Sequence, residues 1–214
     1  MKAFKRIWQI IAIGVIISAG LAGCASAPPI EIDEEKLAVY ENASWEVIPL
    51  AGQPLGTNGF QAIDREEIAY LSNISIAKEF DENKWYALAA PEFPNTYYYL
   101  VYGLVLFQGK SLMGNKSTTI DAERFAAIND YTNTFHSASW TARALPAQPP
   151  LTEFEKLNLF NAEANAETNA LPTMGLGSDT WYEITAPELP GITFLLYKTT
   201  GTAVSISEFY KRVD

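Results

Sequence analysis

The chain has 214 residues, 13% aromatic and only 19% charged, with 25 acidic side chains against 15 basic ones and a formal net charge of −10. So much aromatic and so little charged residue excludes disorder as the general state. The excess of carboxylates argues against nucleic acid or an anionic lipid headgroup as a partner, since either calls for a Lys/Arg patch.

The first residues, MKAFKR, carry Lys2, Lys5 and Arg6, and the apolar run from Ile7 to Gly23 follows them, which is the n-region and h-region of a secretory signal. Left uncleaved, that run would lie at the lower limit for a membrane-spanning helix. Leu21-Ala22-Gly23-Cys24 resembles the lipobox of bacterial lipoproteins, with every position of the pattern met. The resemblance implies that residues 1–23 are a signal peptide and that Cys24 carries a fatty acyl anchor such as palmitate and becomes the first mature residue. Ala25 and Ser26 follow in place of the Asp that tends to hold the family at the inner membrane, which implies the periplasmic face of an outer membrane. Cys24 is the only cysteine, so no disulfide can staple the fold. The mature chain, 24–214, is long enough to bury a sizeable core, and losing three basic residues with the signal moves its formal charge to −13.

Residues 24–31, beginning CASAPPI, read as an extended tether, whose seven opening residues reach roughly 23 Å. Next come two helix starts of similar text, IDEEKLAVY from Ile32 and IDAERFAAI from Ile120, with Asp33 and Asp121 as N-caps and Glu34, Glu35 and Glu123 in the first turns. Ala43-Ser44-Trp45 recurs as Ala138-Ser139-Trp140, and Gln53-Pro54 as Gln148-Pro149. The growing offset between these matches predicts about seven extra residues in the second helix, where Phe125, Ile128, Tyr131 and Phe135 continue an apolar stripe at helical spacing.

Asp64 with Glu67, and Thr152 with Glu155, form capping boxes that predict a further helix in each half. The first would run through Ile68 and Leu71 as far as Phe80, the second through Phe154, Leu157 and Phe160. The Asn-, Ala- and Gly-rich stretch after Phe160 reads as a fraying end and a long loop.

WYALAAPEFP, Trp85 to Pro94, is then repeated as WYEITAPELP, Trp181 to Pro190, sharing Trp85/Trp181, Tyr86/Tyr182, Pro91/Pro187, Glu92/Glu188 and Pro94/Pro190. Each copy reads as a strand ended by a proline-bounded turn, followed by a returning strand. Tyr97, Tyr99 and Val101 alternate with Tyr98, Leu100 and Tyr102, a pattern for a strand covered on both faces. The whole predicts an α+β fold, a tandem duplication of a helix-strand-helix-hairpin unit packed as one pseudo-two-fold body. Copy one spans 32–113 and copy two 120–214, with the link between them, 114–119, ending the segment GKSLMGNKSTT.

His136 is the only histidine and reads as a solvated surface residue; one histidine leaves no multi-His metal site, and neither metal nor cofactor is expected. Gly175-Leu176-Gly177 lacks the third glycine and flanking βαβ unit of a dinucleotide site. Glu92 and Glu188 are a tempting carboxylate pair for hydrolysis, set against the reading that each accepts hydrogen bonds within its own turn. With no catalytic residue assigned, the expectation is a non-enzymatic envelope protein that contacts another envelope protein or peptidoglycan. The alternative is a small-ligand or glycan-binding lipoprotein with an aromatic pocket between the halves, for which Tyr97, Tyr99, Tyr102 and Tyr197 are the candidates.

Overall fold

Helix α1 (Glu34–Asn42) opens the fold, and the Asp33 carboxylate caps it by accepting from the backbone N–H groups of Glu35 and Lys36. The computed structural model describes residues 31–105, 109–199 and 206–214, so the signal, Cys24 and all but the end of the tether lie outside the described residues. Among the described residues no helix is long and apolar enough to cross a membrane.

The first half continues with β1 (Glu46–Leu50), α2 (Arg65–Asn73), a 3-10 turn (Ser75–Glu79), β2 (Trp85–Ala89), β3 (Thr96–Val105) and β4 (Gly109–Thr119). These strands make one antiparallel sheet in the order β1-β2-β3-β4. Helix α3 (Ala122–Ser137) follows, then β5 (Thr141–Leu145), β6 (Glu155–Lys156), α4 (Ala162–Asn169), β7 (Thr180–Thr185), β8 (Ile192–Thr199) and β9 (Ile206–Val213). The second sheet runs β5-β7-β8-β9-β6. The fold is therefore α+β.

The halves share the registers of β1-β2-β3 and β5-β7-β8. Leu50 pairs with Trp85 and Trp85 with Val101, just as Leu145 pairs with Trp181 and Trp181 with Tyr197. Asn83 and Asp179 both adopt a positive φ, 60° and 56°, and each donates its N–H to a carbonyl of the returning strand, Tyr102 or Lys198, at 2.6 Å. The Tyr86 hydroxyl accepts from the Asp81 N–H and the Tyr182 hydroxyl from the Gly177 N–H. Trp45 and Trp140 each donate the indole N–H to the carbonyl five residues back, at 2.7 and 2.9 Å.

The prolines of the repeated motif each take the second position of a tight turn, where a fixed φ is an advantage and no N–H is needed. Around Pro91 and Pro187 the turns close through Phe93 N–H to Ala90 and Leu189 N–H to Ala186 carbonyls, at 3.0 and 3.1 Å. Around Pro94 and Pro190 they close through Thr96 N–H to Phe93 and Ile192 N–H to Leu189, at 3.1 and 3.0 Å. Two consecutive turns, rather than one bounded by prolines, thus connect each pair of strands.

Three further expectations need correction. GKSLMGNKSTT is not a link but strand β4, because pairing along β3 organises a segment whose own text is polar and glycine-bearing. The second helix of the second half does not occupy 152–160. There β6 pairs with β9, and α4 forms later, capped by Asn161, whose side chain accepts from Glu163 and Ala164 N–H. Tertiary pairing with β9 overrides the Thr152/Glu155 signal.

The last correction concerns how the halves meet. Tyr86, Leu88, Tyr98 and Leu100 on one face of the first sheet form a core with Leu71, Ile74 and Phe80, to which Tyr40 of α1 and Trp45 add. Their counterparts Tyr182, Ile184, Phe194 and Leu196 form the second core, with Phe135 of α3 and Trp140. The opposite face of the first sheet, bearing Leu50, Ala87, Tyr97 and Tyr99, is covered by Phe125 and Ile128 from the early turns of α3. α3 is thus packed on unlike faces of the two sheets, a head-to-tail arrangement, whereas a pseudo-two-fold would bring like faces together. The extra length of α3, 16 residues against 9 in α1, supplies the turns that reach the first sheet. Seven residues are close to two full turns, so the apolar stripe keeps its phase.

Candidate functional site

Where α3 crosses the first sheet it leaves a partly open cleft of about 640 Å³. Ile48, Ala89 and Tyr97 form its sheet wall, Ala122, Phe125, Ala126 and Asn129 its helix wall, and the turn from Pro91 to Pro94 part of its rim. The cleft exists because α3 carries alanine at 122 and 126, both exposed, where larger residues would close the gap that Phe125 and Ile128 close deeper in. Tyr97 stacks on Phe125 with ring centres 4.0 Å apart.

Asn129 is 5% exposed. Its Oδ1 accepts the Tyr99 hydroxyl at 2.9 Å, while its Nδ2 is buried with no hydrogen-bond partner. An unsatisfied buried amide costs about 1–3 kcal/mol, so this half-used side chain is the one polar feature of the wall that packing does not explain. Burial pushes the Tyr99 hydroxyl well above its usual range, and it stays a donor. Glu46 and Asp130 are exposed carboxylates on the lining, and no Lys or Arg joins them.

Glu92 and Glu188 perform the same local task. The Glu92 carboxylate accepts the Ser44 N–H and hydroxyl, both at 2.9 Å; the Glu188 carboxylate accepts the Ser139 N–H at 3.0 Å and hydroxyl at 2.7 Å. Each clamp ties the turn after the repeated strand to the residue before Trp45 or Trp140. These bonds hold both carboxyls below the ordinary Glu value, the Ser44 backbone N–H leading for Glu92 and the Ser139 hydroxyl for Glu188. A raised pKa, as a general acid needs, is the opposite of what these environments produce.

The repeated motif is therefore not a matched pair of site segments. Pro91 and Pro94 rim the cleft, whereas their counterparts Pro187 and Pro190 are exposed and have no part in its lining. The reason is that α3 lays Phe125 and Ile128 on this face of the first sheet and Phe135 on the opposite kind of face of the second, so the turn at Pro187 does not meet it as the turn at Pro91 does.

His136 is not a solvated surface residue. It is half-buried, and its Nε2–H donates to the Gln53 carbonyl at 2.8 Å, the acceptor fixing the tautomer. Burial lowers its pKa against the weaker opposing effect of that bond. It helps α3 to hold a strap from the first half, where Leu55 sinks into the second core, its N–H donating to Thr132 Oγ1 at 3.0 Å, and the Ala51 N–H donates to Asn133 Oδ1 at 2.9 Å. A Cβ on Gly52 would fall 2.5 Å from His136 Cγ, so the strap needs glycine there.

The four candidate tyrosines are not gathered into one platform. Tyr97 and Tyr99 lie buried on the α3 side of the first sheet, and Tyr102 packs against the core on the other side. Tyr197, in the second sheet, stacks on Trp181 at 4.9 Å. Gly175-Leu176-Gly177 sits in the loop before β7. Among the described residues no group of three or more His, Cys, Asp or Glu side chains could hold a metal ion.

Sequence reasoning found Tyr97 and missed Asn129, Glu46 and Asp130. The apolar stripe of α3 was legible, but the small and polar positions beside it, Ala122, Ala126 and Asn129, carry no meaning until the sheet opposite them is known. Comparison with known proteins finds no match: no family model fits the chain, and no curated protein or solved structure matches it.

Proposed function

We propose that the protein is a lipid-anchored binding protein of the bacterial envelope, tethered through Cys24 at the periplasmic face of the outer membrane, that holds its ligand in the cleft between the first sheet and α3 without catalysing a reaction. The observation that carries the reading is the cleft itself: its size lies within the range of small-molecule and peptide sites, and it combines an apolar wall with a few convergent polar groups. The shared registers and the paired Ser–Glu clamps support a tandem duplication as its origin, with the halves arranged head to tail. The clamps also favour turn-building over hydrolysis for Glu92 and Glu188. The cleft favours the ligand-binding form of the reading over a flat docking patch, and peptidoglycan or an envelope protein remains the source of the ligand.

Two experiments test this. Labelling cells with a fatty acid should mark the wild-type chain and not Cys24→Ser, and persistent label in the variant would remove the anchor. Ala126→Trp fills the cleft from an exposed helix position. It should leave folding intact while abolishing photo-cross-linking of a ligand from a probe residue beside the cleft; unchanged cross-linking would place binding elsewhere.

A further inference from the structure

We propose that the cleft takes a cationic, amide-bearing chain, such as a short peptide with a lysine or arginine side chain, and this rests on the binding reading above. Two independent observations converge. The first is Asn129, a residue of the cleft wall whose Nδ2 is buried just behind the lining as a donor without an acceptor while its Oδ1 is held by Tyr99. A ligand carbonyl is the neutral acceptor that completes this amide, and a peptide supplies one at every residue. The second is the charge of the lining: Glu46 and Asp130 contribute carboxylates that, among the described residues, have no ion partner, and no basic side chain lines the site. An anionic ligand would meet uncompensated repulsion, whereas an ammonium or guanidinium would be drawn in.

The apolar wall fits the rest of such a chain. Ile48, Ala89 and Tyr97 on one side and Ala126 on the other can cover the aliphatic stem of a lysine or arginine. The turn bearing Pro91, Phe93 and Pro94 lies at the rim, so the repeated motif shapes the entrance in the first half.

Calorimetric titration of the full chain tests the proposal with three amidated tripeptides, Ala-Ala-Lys, its norleucine counterpart and its glutamate counterpart. The lysine peptide should bind at least tenfold more tightly than the norleucine one and lose most of that margin at high salt; the glutamate peptide should bind worst. Replacing Glu46→Gln and Asp130→Asn together should bring lysine down to the level of norleucine. The pair Tyr99→Phe and Asn129→Leu removes both partners of the buried hydrogen bond, so it should fold at least as well as wild type while weakening all peptides. An end-capped nonapeptide with an internal lysine separates the sources: tighter binding than the tripeptide indicates a segment of a larger protein, weaker binding a free short peptide. No binding of any peptide, equal binding of the lysine and glutamate peptides, or indifference to both double variants would overturn the proposal. Cross-linking that Ala126→Trp still abolishes would then leave the cleft a binding site for another ligand, which separates this failure from failure of the binding reading.

Discussion

The two halves have the same registers among their first three paired strands and the same Ser–Glu clamps, yet they fill equivalent core positions with different chemistry. In the first, Tyr98 and Tyr40 both donate to Glu67, at 2.7 and 3.3 Å, and burial pushes the Tyr40 hydroxyl up to about 12. In the second, the equivalent places hold Phe194 and Phe135, both fully buried, and the polar element is an ion pair between Glu167 and Lys211, with side chains 7% and 18% exposed. Burial raises the Glu167 pKa, and Lys211 opposes that rise. Backbone geometry is held constant while the core composition is not. Cores tolerate exchange so long as volume and polar satisfaction are kept, whereas a clamp that fixes a turn has few substitutes.

The comparison breaks most readily at the aromatic that each first helix contributes. Phe135→Ala should cost about 3–5 kcal/mol, and Tyr40→Ala clearly less, because Tyr40 is only half-buried. Denaturant midpoints with unchanged slopes would show it, and equal losses would mean that the two cores are energetically alike. A smaller effect comes from exchanging the sheet aromatics. Tyr98→Phe takes a donor from Glu67 and Phe194→Tyr buries a hydroxyl among apolar neighbours, so each should lose about 1–3 kcal/mol. Phe194→Tyr at no cost would reveal a partner in the second core.

Next in size is His136, which has no counterpart in the first half. Its folded pKa lies below the ordinary 6.5, so the unfolded chain binds the proton more readily. Its contribution is complete above about pH 6.5 and is lost as the pH falls through the folded pKa. His136→Gln keeps a donor for the Gln53 carbonyl and should flatten that part of the stability–pH curve. The smallest expected effect lies in the two clamps. Ser44→Ala should raise the pKa of Glu92, and Ser139→Ala that of Glu188, each towards 4.5 in a carboxyl NMR titration and more at Glu188, where the hydroxyl bond leads. The clamps' contribution is present above that value and disappears on acidification. A larger shift at Glu92 than at Glu188 would show that the bonds of the two clamps are ranked the other way.

Much of this fold was legible before the structure. Asp33, Asp64 and Asp121 cap helices where their spacing says they should, because capping is local and the first turn carries its own signature. Tyr97 to Leu100 are buried on both sides, as their unbroken apolar run implies. What was not legible depends on partners distant in sequence. β4 and β6 are strands only because β3 and β9 lie beside them. α4, rich in Ala and Asn, offers little amphipathic signal and forms under an Asn cap. The cleft was hidden for the same reason: Asn129 lies on a helix of the second half and meets Tyr99 of the first, thirty residues earlier. Identical text at Pro91 and Pro187 likewise could not say that the first would line this cleft and the second would not.

A chain of units joined head to tail has two unlike ends, and one of them must stop the series. In the first sheet the face beneath α3 presents Ile48, Ala87, Ala89 and Tyr97. At the matching places of the second sheet stand Arg143, Glu183, Thr185 and Thr193, with Arg143 and Glu183 paired at 2.7 Å across neighbouring strands. Docking another molecule's helix there would strip water from the exposed Arg143–Glu183 pair with nothing to replace it. On the tandem duplication proposed above, that face would work as a terminator, as polar capping repeats do in solenoid arrays. On the proposed membrane anchor, where copies would be crowded together, it would keep them from growing into filaments.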